Sequence, residues 1–177
     1  LANSGNRMDV AINGTGWFQV GGPDGETLYT RAGAFNTNEN GQIVTMDGYE
    51  VLPAMTVPAN TIDVHINQSG EVYAQVAGQT TQTLLGQFTL ASFPNSAGLE
   101  ELGGNLFRQT VSSGSATTGV PGQVGFGKLE QGYLEGSNVD PVKEIPDLIS
   151  AQRAYEMNSK VIQAADDMAG TVSKGIR

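Results

Sequence analysis

Glycine is spread so unevenly along this chain that it divides the molecule in two. Of the 24 glycines in 177 residues, 22 lie within residues 1–136. Glycine at that density weakens helices and permits the positive-φ conformations of tight turns, so a long helix there is excluded and many short strands are favoured. The same stretch holds 4 basic and 12 acidic residues. Residues 137–177 retain 2 glycines, with 5 basic and 6 acidic residues, and read as one long helix. The predicted boundary is therefore Gly136.

In the first part, alternation bounded by turn dipeptides predicts strands. Met8, Val10 and Ile12 alternate with polar or small neighbours, and Asn13-Gly14 predicts a hairpin turn back into Trp17-Phe18-Gln19-Val20. Pro23-Asp24-Gly25 predicts a turn into a strand from Leu28 to Phe35. Asn40-Gly41, Asp47-Gly48 and Ser69-Gly70 punctuate further strands, with Ile62, Val64 and Ile66 facing one side and Asp63 and His65 the other. Thr83 to Phe93 is the longest strand expected. Leu99 and Leu102 are read as anchors after the Pro94–Gly98 turn, residues 112–119 as a mobile surface loop, and Val124 to Leu134 as a return to strand. The fold class expected is mainly β: a twisted antiparallel, glycine-rich domain followed by one C-terminal α-helix.

Charge narrows the function classes. The net charge is −9 and the pI about 4.4, so the chain repels phosphate backbones and anionic lipid; neither nucleic acid nor membrane insertion is expected. Charged residues make up only 15%, against roughly 25% in an average soluble protein. The surface expected is polar but largely uncharged. Cysteine is absent, which removes disulfides, thiolate metal sites and a cysteine nucleophile. A single histidine, His65, cannot build a His-rich metal centre within one chain. The chain opens on Leu1 without a basic segment and apolar core, and is read as a fragment or processed form without a cleavable secretion signal.

The tail carries a different pattern. Asn138 or Asp140 is a candidate N-cap, and Pro141 suits a first helical position. Pro146 clashes with a helix already begun, so regular helix is expected from about Pro146 to Val172, with a kink or separate turn before it. Leu148, Ala151, Tyr155, Asn158, Ile162, Ala165, Ala169 and Val172 recur at alternating steps of 3 and 4, the spacing that aims one stripe at a partner helix. These eight residues are the predicted helix-packing interface. A helix of that span is about 40 Å long, more than a small β domain can cover, and the sequence holds no second long helix to receive it.

Candidate chemistry is thin. Gly14-Thr15-Gly16 looks like the start of a dinucleotide loop but leads into a strand, so the amides of a helix N-terminus are missing and a turn is the preferred reading. His65 has no second ligand or base partner of its kind. Glu100-Glu101 is read as a solvated turn and Asp166-Asp167 as a solvated helix face, rather than a glycosidase pair. No catalytic, cofactor-binding or metal site is predicted.

At the two ends the residues become recognisable. Met8-Asp9-Val10-Ala11-Ile12-Asn13-Gly14-Thr15-Gly16-Trp17-Phe18-Gln19-Val20 resembles a signature of the bacterial flagellar rod and hook proteins. So do Tyr29–Phe35, Asn40–Thr45 and Gly48-Tyr49. Gln131-Gly132-Tyr133-Leu134-Glu135-Gly136-Ser137-Asn138-Val139-Asp140 is similar to the family's junction into its last helix, and Gln152–Lys160 to the core of that helix. Within the family the short central domain and the junction resemble the distal-rod branch.

The resemblance implies a structural, non-enzymatic subunit without a cofactor. It implies helical polymerisation into the drive shaft that carries torque from motor to hook, after type III export, in the periplasmic rod of the basal body. The implied partners are further copies of the chain, other rod and hook subunits, and the P-ring and L-ring bushings. Residues 1–136 are then the outer (central) β domain, and residues 137–177 the junction and C-terminal helix of the axial core. Two departures accompany it: the family's N-terminal partner helix is missing, and Pro146 is unexpected in the family's helix. Alternatives are a proximal-rod or hook-type subunit, a secreted carbohydrate-binding or adhesive β module, and a glycosidase-like β enzyme.

Overall fold

A computed structural model describes residues 1–136 and the helix backbone over 141–175, with helix side chains placed over 149–165 and at 168. The chain divides into two compact units, Leu1–Gly136 and Ser137–Arg177.

The first unit is built around one central strand, Trp17–Gly21, whose side chains alternate between two packed faces. It pairs antiparallel with Thr27–Thr30 on one side, and with Leu90–Ser92 and Val51–Leu52 on the other. Leu106–Arg108 and Glu100–Gly103 extend the sheet beyond Thr27–Thr30, and Thr117–Gly119 extends it beyond Leu90–Ser92, giving a 7-stranded sheet. One face sends Phe18, Val20, Leu28, Leu90 and Leu106 into the main core. There the rings of Phe18 and Phe35 meet edge-on with centroids 5.0 Å apart, and Phe88 stacks on Phe35 at 5.7 Å. The opposite face carries a smaller cluster in which Trp17 packs on Phe107 at 4.8 Å and Tyr29 on Phe93 at 4.7 Å. A separate 3-stranded sheet, Thr61–Ile66, Glu71–Val76 and Thr83–Gln87, contributes Ile66 and Val72 to the main core.

The class expected from the sequence is the one observed: antiparallel strands followed by one C-terminal helix. Several local expectations are corrected. Asn13-Gly14 does not close a hairpin. Val10–Asn13 pairs with the distant Lys128–Gln131, and Trp17–Gly21 belongs to another sheet. The expected Leu28–Phe35 strand ends at Thr30 and resumes as Phe35–Thr37. Gly33 causes the break: its carbonyl accepts from the Val10 amide at 2.9 Å, and a Cβ at Gly33 would overlap the Val10 carbonyl. The expected Thr83–Phe93 strand splits into Thr83–Gln87 and Leu90–Ser92, in different sheets. The split falls at Phe88, which is buried and donates its amide to Gly70 O at 2.8 Å.

Ile62 does not join Val64 and Ile66 inside. A register shift between Thr61 and Asp63 turns it outward, 72% exposed, because a bulge reverses the alternation of the strand. Leu102 is likewise exposed rather than an anchor, whereas Leu99 packs in the smaller cluster. The 112–119 stretch is structured. Ser113 is fully buried, exchanging hydrogen bonds with Thr110, and Thr117–Gly119 is a strand. Finally, the helix runs Pro141–Gly175 and starts at Pro141 rather than Pro146. Proline at a first helical position loses only an amide that has no acceptor within the helix, and its fixed φ suits the start.

Two substitutions separate core from bulge. Phe88→Ala should lower stability by about 3–5 kcal/mol. Ile62→Ser should shift it by no more than about 0.5 kcal/mol. Urea denaturation of both variants measures the contrast, and a large loss at Ile62 would contradict its outward placement.

Candidate assembly surface

All eight predicted interface positions fall within the helix Pro141–Gly175, which at 35 residues is about 52 Å long. Of their side chains, Ala151, Tyr155, Asn158, Ile162 and Ala165 are described, and every one is exposed. Tyr155 is 75% and Ile162 64% exposed. Ile149, Met157 and Val161 add to the exposed apolar surface of this helix. The side chains of Leu148, Pro146, Ala169 and Val172, the Asp166-Asp167 pair and the capping candidates Asn138 and Asp140 lie outside the described residues. No helix among the described residues is long and apolar enough to cross a membrane.

The segment that leads out of the β unit is held from several directions. Tyr133–Leu134 pairs antiparallel with Ala2–Asn3, so the two strands lie side by side. The Gly132 amide donates to Asp9 O at 2.7 Å, and the Ser4 amide donates to Gly132 O at 2.8 Å. The Gln131 side chain accepts from the Ile66 amide at 3.1 Å and donates to Arg7 O and Val64 O at 2.7 and 2.8 Å. Arg31 donates from Nε to Glu135 Oε2 at 2.8 Å.

Each arginine of residues 1–136 bridges segments far apart in sequence. Arg7 pairs with Asp63 and Arg31 with Glu135. Arg108 donates from Nε and Nη2 to the two Glu26 oxygens at 3.0 and 2.9 Å, with Glu100 3.5 Å from its Nη1. The forked hydrogen bonds from Arg108 hold the Glu26 carboxyl below its ordinary value. Sequence reasoning singled out none of these arginines. Their signal is scarcity: with 4 cations among 12 acids, each guanidinium is surrounded by candidate partners.

The remaining candidates are placed as follows. His65 is exposed on the Thr61–Ile66 strand. Glu100 and Glu101 lie exposed on the edge strand Glu100–Gly103, where a turn was expected. Gly14-Thr15-Gly16 is a connection between strands of two sheets whose carbonyls accept from Arg31 at 2.9 and 2.8 Å. Among the described residues no cluster of three or more His, Asp or Glu side chains is placed to hold a metal ion.

A charge-poor β unit and a long helix with exposed apolar side chains are the parts of a structural subunit. Comparison with known proteins makes this specific. Residues 11–74 match the model of the flagellar hook protein FlgE/F/G D1 domain, and residues 130–174 match that of the flagellar basal body rod FlgEFG protein C-terminal region. A flagellar basal-body rod protein FlgG of Agrobacterium fabrum is 55% identical over 177 residues, covering 100% of this chain and 68% of its own length. That of Caulobacter vibrioides is 53% identical over 167 residues, 94% of this chain and 64% of its own. The flagellar hook protein FlgE of Escherichia coli is 38% identical over 138 residues, 77% of this chain but 32% of its own length. The chain belongs to the flagellar rod and hook family, and its place is the basal-body rod. It spans 68% and 64% of the length of the first two relatives.

The Arg108–Glu26 pair makes a pH prediction. Folded Glu26 holds its proton less tightly than the unfolded chain does, so the pair stabilises fully above the ordinary carboxylate value of 4.5 and loses its effect as pH falls through the lower folded value. The difference in urea midpoint between wild type and Glu26→Gln should therefore be constant from pH 7 to about pH 5 and close in stronger acid. A difference that widened on acidification would contradict the assignment.

Proposed function

We propose that this chain is the greater part of a distal-rod subunit that polymerises helically into the shaft transmitting torque from motor to hook. The observation that carries the reading is the exposed stripe on the helix. Tyr155 and Ile162 stand more than half exposed in a helix whose remaining described side chains are exposed as well. Such a stripe is stable only when covered, and head-to-tail contacts that do not close build helical filaments. The similarity to FlgG proteins across the whole chain supports the distal rod over a hook-type subunit, since the hook relative is less similar and shares 32% of its own length.

Residues 137–177 are assigned to the axial core and residues 1–136 to the outer shell. A partner helix ahead of Leu1, which the family resemblance implies, would join the β unit beside the outgoing segment, because Ala2–Asn3 pairs with Tyr133–Leu134. The work of such a chain is mechanical and non-enzymatic. It contacts its own copies, neighbouring rod and hook subunits and the P-ring and L-ring bushings, and it reaches the rod by type III export. A shell with few charges suits rotation within a ring, since few fixed ion pairs form across the gap.

Tyr155→Asp with Ile162→Asp should abolish tubes of the full-length protein in electron micrographs while leaving the thermal melt of the β unit unchanged. Tubes formed by that double variant would refute the interface. Clusters of lysine added to the exposed β surface should impair swimming yet leave rods assembled; motility equal to wild type would remove the low-friction role.

A further inference from the structure

The geometry around Gly14-Thr15-Gly16 points to a use for Arg31. We propose that Arg31 is a positioning residue that latches the outgoing chain to the β unit, seated in a cradle of backbone carbonyls and gripping Glu135.

The cradle is made by glycine. Gly14 has φ +121° and Gly16 φ +143°, conformations that side chains with a Cβ rarely adopt. This path turns both carbonyls toward one point, where Arg31 Nη1 donates to Gly14 O at 2.9 Å and Gly16 O at 2.8 Å. Nη2 adds a longer contact to Ile12 O at 3.5 Å. A phosphate loop presents amides to an anion. This Gly-x-Gly loop presents carbonyls to a cation, which is why the dinucleotide resemblance of its sequence is misleading. The fourth direction of the guanidinium, Nε, is left to grip Glu135 at 2.8 Å.

Glu135 is the residue before Gly136, where the β unit ends. The Gly14–Gly16 loop connects Val10–Asn13 to the central strand Trp17–Gly21. Arg31 itself follows directly on Thr27–Thr30, a strand of the same sheet as Trp17–Gly21. Tension on the outgoing chain at Glu135 is thus shared by one side chain among backbone groups next to both strands. A planar fork with five fixed donors does this; an ammonium does not. The consequence for function rests on the rod reading: in a torque-bearing polymer the latch carries load into the shell.

The test uses the full chain and its junction variants, read by hydrogen exchange and mass spectrometry. Arg31→Ala removes the cradle's occupant and risks disturbing the fold. Glu135→Ala leaves Arg31 seated and is the decisive variant. It should speed exchange of the Tyr133–Gly136 amides about two- to fivefold, the scale of one partly exposed ion pair, while Trp17–Gly21 keeps its protection. Arg31→Lys should loosen the same amides, since charge without the fork is insufficient. The swap Arg31→Glu with Glu135→Arg should not restore protection, because a carboxylate in a carbonyl cradle is repelled. Unchanged exchange in Glu135→Ala, or wild-type protection in the swap, would overturn the latch. In cells whose rod is built from the full-length Glu135→Ala protein, rods should form but swimming in viscous medium should fall. Loosened exchange with undiminished viscous swimming would overturn the load-bearing role and leave the rod reading intact. Absence of tubes from the wild-type full-length protein would sink the rod reading alone.

Discussion

Three phenylalanines from three separate stretches of chain hold the β unit together. Phe18 lies on the central strand, Phe35 beyond the Gly33 break and Phe88 beyond the split of the long expected strand. Their rings meet at centroid distances of 5.0, 5.9 and 5.7 Å in a fully buried cluster. Bringing Phe35 and Phe88 to Phe18 requires the backbone to leave the straight path of a strand on either side. Both breaks serve this: Gly33 passes under the Val10 carbonyl with no room for a side chain, and Phe88 anchors to the Gly70 carbonyl. Rings of this size each bury a large apolar area and prefer edge-on or offset contacts, so the cluster sets geometry as well as stability.

Around that core the unit uses its few cations as cross-braces. Arg7, Arg31 and Arg108 each join segments distant in sequence, to Asp63, to Glu135 and to Glu26. Exposed ion pairs contribute little to stability individually. Their value here lies in direction. Arg31 and the side chain of Gln131 hold the strand that leads out of the unit against the loop after Val10–Asn13 and the edge of Thr61–Ile66.

The two units place their apolar side chains in opposite ways. In residues 1–136 the large hydrophobic residues on the central strands are buried on both faces. In the helix Tyr155, Met157, Val161 and Ile162 are all more than half exposed. The first unit buries its core within itself, while every described side chain of the helix is exposed.

Composition alone determined the division at Gly136, the β class of the first part and the helical nature of the second, because these depend on local backbone preference and on a period read directly from neighbouring residues. The steps of 3 and 4 from Ala151 to Ala165 predicted a packing stripe, and its side chains share their exposure with every other described side chain of the helix. What only the tertiary structure decided was pairing. Val10–Asn13 passes over its neighbour Trp17–Gly21 to join Lys128–Gln131, Ile62 turns outward at a bulge, and Ser113 lies buried in a stretch of small polar residues. Those outcomes arise from long-range competition for the core around Phe18, and local patterns carry no record of which distant segment wins. Arg31 is the sharpest case: its meaning comes from carbonyls aimed by two glycines and a carboxylate 104 positions away, partners that meet only when the chain is folded.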